Sequence, residues 1–335
     1  MELDWQNLGF EILPNNGSIL VEYKDGEWNK PQVYKSNTLE LPLGAQVLHY
    51  GQACFEGLKA FTLKDGSIAM FRPDMNAKRM KLSAERICMN SPEEDLFIEA
   101  CKQAVLLNKE FVPPYGSGAS LYIRPLLLGT EAMFAIKPSQ TYSFFVMVSP
   151  VGPYYKDGFS PVDALVVREY DRAAPAGTGQ SKVAGNYAAS LKGSVVAMND
   201  GYPIVLYLDS KEGKYIDEFG TSNFIGITND KQYITPNSQS VLQSITNDSL
   251  QTLAKEMGLE VKKEPIAVED LDKFIEVGAC GTAAIITPIK SVTINQKKTS
   301  FKDGESTPIL QELYNKFQAI QYGEIEDSHN WVVRV

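Results

Sequence analysis

The chain has 335 residues, is 44% hydrophobic and 22% charged, and contains 18 prolines and 25 glycines. That is a globular composition, long enough for two domains. A formal net charge of −9 and a pI near 5.0 leave no basic footprint for nucleic acid. The first ten residues carry acids and no Lys or Arg, unlike a signal or transit peptide, and no uncharged apolar run reaches the length of a membrane span. Four scattered cysteines (Cys54, Cys88, Cys101 and Cys280) show no paired spacing, which points to reduced thiols in a cytoplasmic protein. His49 and His329 are the only histidines, so neither a His-rich metal site nor a Ser-His-Asp hydrolase is expected.

In chain order, residues 17–24 and 61–71 run or alternate apolar and carry the turn signals Lys24-Asp25-Gly26 and Lys64-Asp65-Gly66, the pattern of hairpin strands. Met75, Arg79, Met80, Ala84 and Ile87 recur at helical spacing within 72–90. A second helix is predicted from Ser91 as N-cap, with Pro92 in the first position and Glu94 closing a capping box; it ends before Pro113-Pro114. Strands follow at 119–128 and 140–149. The Pro-, Gly- and Tyr-rich run 150–158 signals a break, and an interdomain linker is placed at 153–162. Beyond it, strands are predicted at 162–169, 204–208 and 224–227. Helices are predicted at 185–200, with Ala189, Val196 and Ala197 on the packed side, and at 247–258, and a last one opens at Thr307-Pro308. Without regular βαβ alternation or an internal repeat, the pattern is α/β of the α+β kind, divided into domains 1–152 and 163–335.

The chemistry centres on Lys182. No other cationic side chain lies between Arg172 and Lys192, and no carboxylate between Asp171 and Asp200. A lone lysine is ordinarily solvated, but desolvation without charged neighbours destabilises its ammonium form and frees an amine nucleophile. Neither a dinucleotide fingerprint nor a P-loop fits the surrounding glycines. A lysine carrying pyridoxal phosphate would need an anion cradle and a carboxylate for the ring nitrogen. Glu218 stands at the end of a predicted strand, Ile245-Thr246 immediately precede a predicted helix start at Asn247-Asp248, and 278–283 reads as a small-residue turn.

These elements occur within longer runs: Leu48-His49-Tyr50, Phe55-Glu56-Gly57-Leu58-Lys59-Ala60-Phe61, Phe71-Arg72-Pro73 through Arg79-Met80, and Tyr122-Ile123-Arg124-Pro125. They continue with Ser149-Pro150-Val151-Gly152, Lys182-Val183-Ala184-Gly185-Asn186-Tyr187, Glu218-Phe219-Gly220-Thr221-Ser222-Asn223, Gly281-Thr282-Ala283 and Gln321-Tyr322-Gly323. In these runs the chain resembles the branched-chain amino acid aminotransferases of the class IV pyridoxal-phosphate enzymes, from about residue 9 to the end. The resemblance implies the class IV aminotransferase fold, with a small N-terminal α/β domain and a larger C-terminal pseudobarrel domain. It also implies reversible transamination between leucine, isoleucine or valine and 2-oxoglutarate, and a homodimer.

Carried over by position, the resemblance makes Lys182 the Schiff-base lysine and Arg79 a phosphate ligand. Tyr187 would bond the cofactor's phenolic oxygen, Glu218 would hold the ring nitrogen, and Thr221 would lie near the ring and phosphate. Ile245, Thr246 and Thr282 would cradle the phosphate. Tyr50, Phe55, Arg124 and Tyr154 would line the substrate pocket, and the backbone of Thr282 and Ala283 would receive the α-carboxylate. Arg124 is equally open to a structural ion pair. Two departures stand out: the Cys-x-x-Cys of the mammalian members is missing after Ala283, and the phosphate loop reads Gln243-Ser244 where Pro-Gly is common. D-amino acid aminotransferases and aminodeoxychorismate lyases share the cofactor set, but the longer N-terminal region and Tyr122-Ile123-Arg124-Pro125 argue against both. A cofactor-free binding protein on the same scaffold is the alternative of another class.

Overall fold

A computed structural model of the chain describes residues 3–5, 7–152, 159–301 and 307–335, so most of the expected linker, with Tyr154, lies outside the described residues. The chain forms two units that interleave in sequence. One holds Met1–Lys156, Ser181–Gly185 and Ile320–Val335; the other holds Asp157–Gln180 and Asn186–Ala319. The first begins with β1 (Ser18–Lys24), β2 (Glu27–Trp28), β3 (Gln32–Tyr34), α1 (Gln46–Tyr50), β4 (Ala53–Phe55), β5 (Leu58–Thr62) and β6 (Ile68–Phe71). Then come α2 (Pro73–Arg86), α3 (Glu94–Leu107), β7 (Ser120–Gly129) and β8 (Tyr142–Val151). Next in chain order are β9 (Val162–Val166), α4 (Ala184–Asn199), β10 (Ile204–Leu208), β11 (Ile216–Phe219), β12 (Ser222–Thr228), β13 (Gln232–Pro236) and α5 (Ile245–Glu256). The chain continues through β14 (Glu260–Glu264), β15 (Phe274–Gly281), β16 (Ile285–Ile294), β17 (Lys297–Ser300) and α6 (Pro308–Gln321), and ends on β18 (Val332–Arg334), a strand of the first unit.

The first unit is built on an antiparallel sheet in the order β18-β6-β5-β7-β8-β1-β2, with β3 added to β1 and β4 to β7. Strand periodicity decides what each face carries. Leu58, Ala60, Leu121, Ile123, Phe144 and Val146 pack with Met80, Ala84, Phe97, Ala100 and Ala104 of α2 and α3 in one core. Residues Tyr122 and Arg124, one step out of phase on β7, are left only half-buried. The start of α3 differs from the capping-box expectation: Glu93 is the N-cap and offers no side-chain cap. Ser91 is otherwise engaged, its carbonyl accepting Trp28 Nε1–H and its hydroxyl donating to the Pro92 carbonyl.

In the second unit, β11-β10-β9-β16-β15-β12 pair in order, and a further β11–β12 pairing closes the six into a ring; β13 and β14 extend it from β12. This is the barrel-like sheet expected of the fold class. Phe219, Phe224, Phe274, Leu206, Val277 and Ile289 fill its core. Residues 278–281, expected as a turn, are instead the end of β15, and the turn itself is 282–284. Small residues belong in this strand because a Cβ at Gly278 would press on Ile286, Leu310 and Ile225 at 3.1–3.2 Å.

Of the expected packed side of α4, Ala197 is buried and Val196 packs beside it, while Ala189 is exposed. Asn186, Ser190, Gly193 and Ala197 point inward, while Leu191, Val195 and Met198 are exposed. The inward face is small because Tyr207 lies against it, donating its hydroxyl to the Ser190 carbonyl at 2.8 Å. Helix α5 starts two residues earlier than expected, with Ser244 as N-cap accepting the Asn247 N–H. Among the described residues no helix is long and apolar enough to cross a membrane.

The N-terminus of α6 rests on a fully buried acid, Glu276 of β15, whose two oxygens accept the N–H groups of Ile309 (3.2 Å) and Leu310 (2.9 Å). An anion there satisfies two donors that no intrahelical acceptor can reach and matches the helix dipole. Glu276→Gln should therefore lower unfolding stability by about 1–2 kcal/mol in urea titrations. A change within about 0.3 kcal/mol would mean that the carboxylate charge contributes nothing to holding α6.

Candidate active site

In the first unit the lysine segment is fixed by its backbone. The Lys182 N–H donates to the Ser83 hydroxyl at 2.8 Å, and that hydroxyl donates to the Arg79 carbonyl one turn earlier in α2. On its other side the Lys182 carbonyl accepts the Phe55 N–H at 3.1 Å, and Val183 bridges to Cys54 of β4. The main chain is thus held from two elements while the half-buried side chain extends from it, with Nζ 4.7 Å from the centre of the Phe55 ring.

Arg124 lies over the same ring at 4.8 Å and over Tyr122 at 5.2 Å, and donates through Nη2 to the Tyr122 hydroxyl at 3.0 Å. Its buried Nε has no hydrogen-bond partner among the described residues. The structural ion pair considered for Arg124 is absent there, and aromatic faces hold the guanidinium instead. Gly57 gives this cluster room, because a Cβ at that position would overlap the Tyr122 hydroxyl and displace that ring. Of the other substrate-pocket expectations, Tyr50 is exposed at the end of α1 and donates its hydroxyl to the Phe134 carbonyl at 2.6 Å.

Arg79 projects from α2 into a buried pair with Glu56: Nε to Oε1 at 2.8 Å and Nη2 to Oε2 at 2.7 Å, with Asn76 Nδ2 also on Oε2 at 2.7 Å. Glu56 is fully buried and Arg79 nearly so. The pair engages Nε and Nη2 of the guanidinium.

The second unit carries the remaining expected residues. Glu218 on β11 is buried; its Oε2 accepts Asn223 Nδ2 at 2.8 Å, and its Oε1 lies 2.8 Å from Arg172 Nε. The Arg172 contact is a Coulombic pair rather than an aligned hydrogen bond, since the Nε–H is not directed along it. Thr221 occupies the exposed β11–β12 turn, and Gly281 lies beside it, its Cβ position 3.8 Å from the Thr221 carbonyl. Thr282 and Ala283 form the half-buried turn that follows.

Buried Ile245 and Thr246 are the first helical residues of α5, whose backbone N–H groups precede the intrahelical ladder. This turn is held against β13, where Tyr233 Oη donates to Asn247 Oδ1 at 2.7 Å and Asn247 Nδ2 to Thr235 Oγ1 at 2.8 Å. Tyr187 sits half-buried in the first turns of α4. Glu56, Ser83, Arg172 and Asn223 escape a sequence reading because each partner lies far along the chain or on another element.

The model of the class IV aminotransferase family matches residues 53–292. The chain belongs to this family, and is therefore an aminotransferase of the pyridoxal-phosphate-dependent type. It is 44% identical to the branched-chain-amino-acid aminotransferase of Haemophilus influenzae, over 100% of this chain and 99% of that one. It is 44% identical to the enzyme of the same name from Helicobacter pylori, over 99% and 98%. A crystal structure of the Escherichia coli branched-chain amino acid aminotransferase superposes with a TM-score of 0.81 at 27% identity, covering 96% of this chain and 99% of that one.

Two predictions concern the buried charges. Arg79→Met leaves Glu56 buried with only the Asn76 and Gly57 donors among the described residues. It should cost about 3–5 kcal/mol in denaturant unfolding of the cofactor-free protein, and adding Glu56→Met should recover most of that loss. Equal losses in the single and double variants would show that the pair does not matter to stability. Asp217, next to Glu218 on β11, is buried with neither oxygen hydrogen-bonded among the described residues. Burial pushes its carboxyl above the usual range, partly opposed by nearby Ser238 and Arg172. A raised folded-state value means that the native protein loses stability as pH climbs from about 4 through that value. Asp217→Asn should thus raise stability by about 1 kcal/mol at pH 7, with the gain vanishing below about pH 4 in thermal melts.

Proposed function

We propose that the protein is a branched-chain amino acid aminotransferase, exchanging the amino group of L-leucine, L-isoleucine or L-valine with 2-oxoglutarate. The observation that carries this reading is the 44% identity over the whole chain to a relative of that name. Pyridoxal phosphate, when bound, supplies a cationic pyridine ring that takes up negative charge from the substrate's α-carbon. The donor set suits it: an amine on an anchored backbone, a buried carboxylate, and a helix N-terminal turn with threonine hydroxyls near by in sequence.

In this reading Lys182 carries the cofactor covalently as a Schiff base. Its amine would also take up and return the proton of the substrate α-carbon. Glu218 accepts the hydrogen of the ring nitrogen, and Tyr187 donates to the phenolic oxygen. Arg79, the N–H groups of Ile245 and Thr246, and the Thr282 hydroxyl hold the phosphate, with Thr221 at the edge of ring and phosphate. Tyr50, Phe55, Arg124 and Tyr154 receive the side chain, and the Thr282-Ala283 backbone receives the α-carboxylate. A guanidinium laid on two rings suits a pocket that must accept an apolar side chain in one half-reaction and a carboxylate in the other.

We also place the enzyme in the cytoplasm as a homodimer. All four cysteines are free thiols. Leu43, Phe134 and Ile136 are 83–88% exposed, with His49 in contact with Phe134 and with the Leu43 carbonyl, an apolar surface of the kind that pairs with a copy of itself.

The test is a visible spectrum of the purified protein loaded with pyridoxal phosphate. L-Leucine should bleach the cofactor's band and 2-oxoglutarate should restore it, while Lys182→Ala should lower turnover by about 10⁴-fold or more. A protein that stays colourless with the cofactor would sink the reading. Bleaching by D-alanine but not by L-leucine would move it to a D-specific enzyme.

A further inference from the structure

Arg172 has no part in the reading above, yet it is nearly fully buried and touches three separate segments of the second unit. Its Nε stands 2.8 Å from Glu218 Oε1. Its Nη2 donates to the Gly179 carbonyl at 3.1 Å and also to the Ser240 carbonyl. Gly179 and Ser240 approach so closely that a Cβ at Gly179 would overlap the Ser240 backbone. Asn223 completes the arrangement, its Nδ2 donating both to Glu218 Oε2 at 2.8 Å and to the Leu242 carbonyl at 3.0 Å. Ser240 and Leu242 belong to the loop that runs into Ser244, the N-cap of α5.

We infer that Arg172 is a positioning residue for the cofactor, acting through Glu218. It fixes the carboxylate in one orientation and, with Asn223, ties it to the loop that delivers the first turn of α5. The inference rests on the aminotransferase reading, in which Glu218 meets the ring nitrogen and that turn meets the phosphate. The physical need is plain. A carboxylate withdrawn from water tends to take up a proton or to rotate toward any available donor. A guanidinium on one oxygen and an amide on the other remove both freedoms. Carboxylate oxygens can each accept more than one hydrogen bond, so this bracing does not use up the acceptor that the ring nitrogen needs. Meeting Glu218 through Nε and two backbone carbonyls through Nη2 uses two nitrogens of one planar group, which a single ammonium cannot do.

The experiment is a thermodynamic cycle read by binding, not turnover. Pyridoxal phosphate is titrated into apoprotein carrying Arg172→Met, Glu218→Gln, both or neither, with Kd taken from absorbance and visible circular dichroism reporting how the bound ring is held. Arg172→Met alone should weaken binding roughly 10- to 100-fold and reduce the dichroic band. In the Glu218→Gln background the same change should cost less than about threefold, because the residue it acts through is already disabled. Arg172→Lys should recover part of the affinity, as it restores the charge beside Glu218 but not the fork. If Arg172→Met does not fold by far-ultraviolet circular dichroism, Arg172→Lys runs the same cycle. Unchanged affinity, or an equal loss in both backgrounds, overturns the inference and leaves the enzyme reading standing. Wild-type apoprotein that binds no pyridoxal phosphate overturns both.

Discussion

A carboxylate taken out of water must be met by a cation or by hydrogen-bond donors, or else give up its charge. Four buried acids meet this demand in different ways, and much of the local architecture follows from how they do so. Glu56 takes a bidentate guanidinium and an amide, which joins β4 to α2. Glu276 takes two backbone N–H groups and thereby fixes where α6 begins. Glu218 takes a guanidinium and an amide that both also bind loop carbonyls. Asp217 has no well-aligned hydrogen bond among the described residues, and burial pushes its carboxyl upward against the weaker pull of Ser238 and Arg172.

The same economy governs the lysine. In its proposed role this side chain carries a group and shuttles a proton, which needs freedom at its tip and none at its base. Hydrogen bonds from the Lys182 peptide to Ser83 and Phe55, together with the Val183–Cys54 bridge, fix the base from α2 and β4. Because Ser83 also donates to the Arg79 carbonyl, the lysine segment and the Arg79–Glu56 pair share one helix as their support. A disturbance of that pair would therefore reach the Lys182 backbone through two hydrogen bonds. An amine held only by its own side-chain contacts would lack this coupling.

Local chemistry made much of this legible in the sequence. The hairpin turns, the strands at 119–128 and 140–149, the last helix and the ordered motifs around Lys182, Glu218 and Thr282 are all written in contiguous residues. The failures have physical causes. Ser91-Pro92 has the form of a helix start, but Trp28 and the Pro92 carbonyl engage Ser91, and α3 begins at Glu94. Residues 278–281 look like a turn because they are small, yet smallness there is what lets neighbours crowd a strand. Helix α4 inverts the usual rule, burying Asn186, Ser190 and Gly193 and exposing Leu191 and Met198, since Tyr207 leaves no room for large side chains. The compact units also interleave along the chain, with Ser181–Gly185 and Ile320–Val335 grouped with the N-terminal residues.

Asp217 and Glu218 show most directly why residue type alone could not locate the chemistry. They are adjacent acids on one strand, and period-two geometry sends them to opposite faces. Composition and spacing treat them alike. Only Glu218 meets a guanidinium and an amide, so only it is kept as an oriented acceptor, with the cost of desolvating that charge met during folding rather than when a ligand arrives. The partners that create the difference come from positions 172 and 223, on a loop and on the next strand. What distinguishes one buried carboxylate from its neighbour is therefore a property of the assembled unit, which a motif can mark but cannot explain.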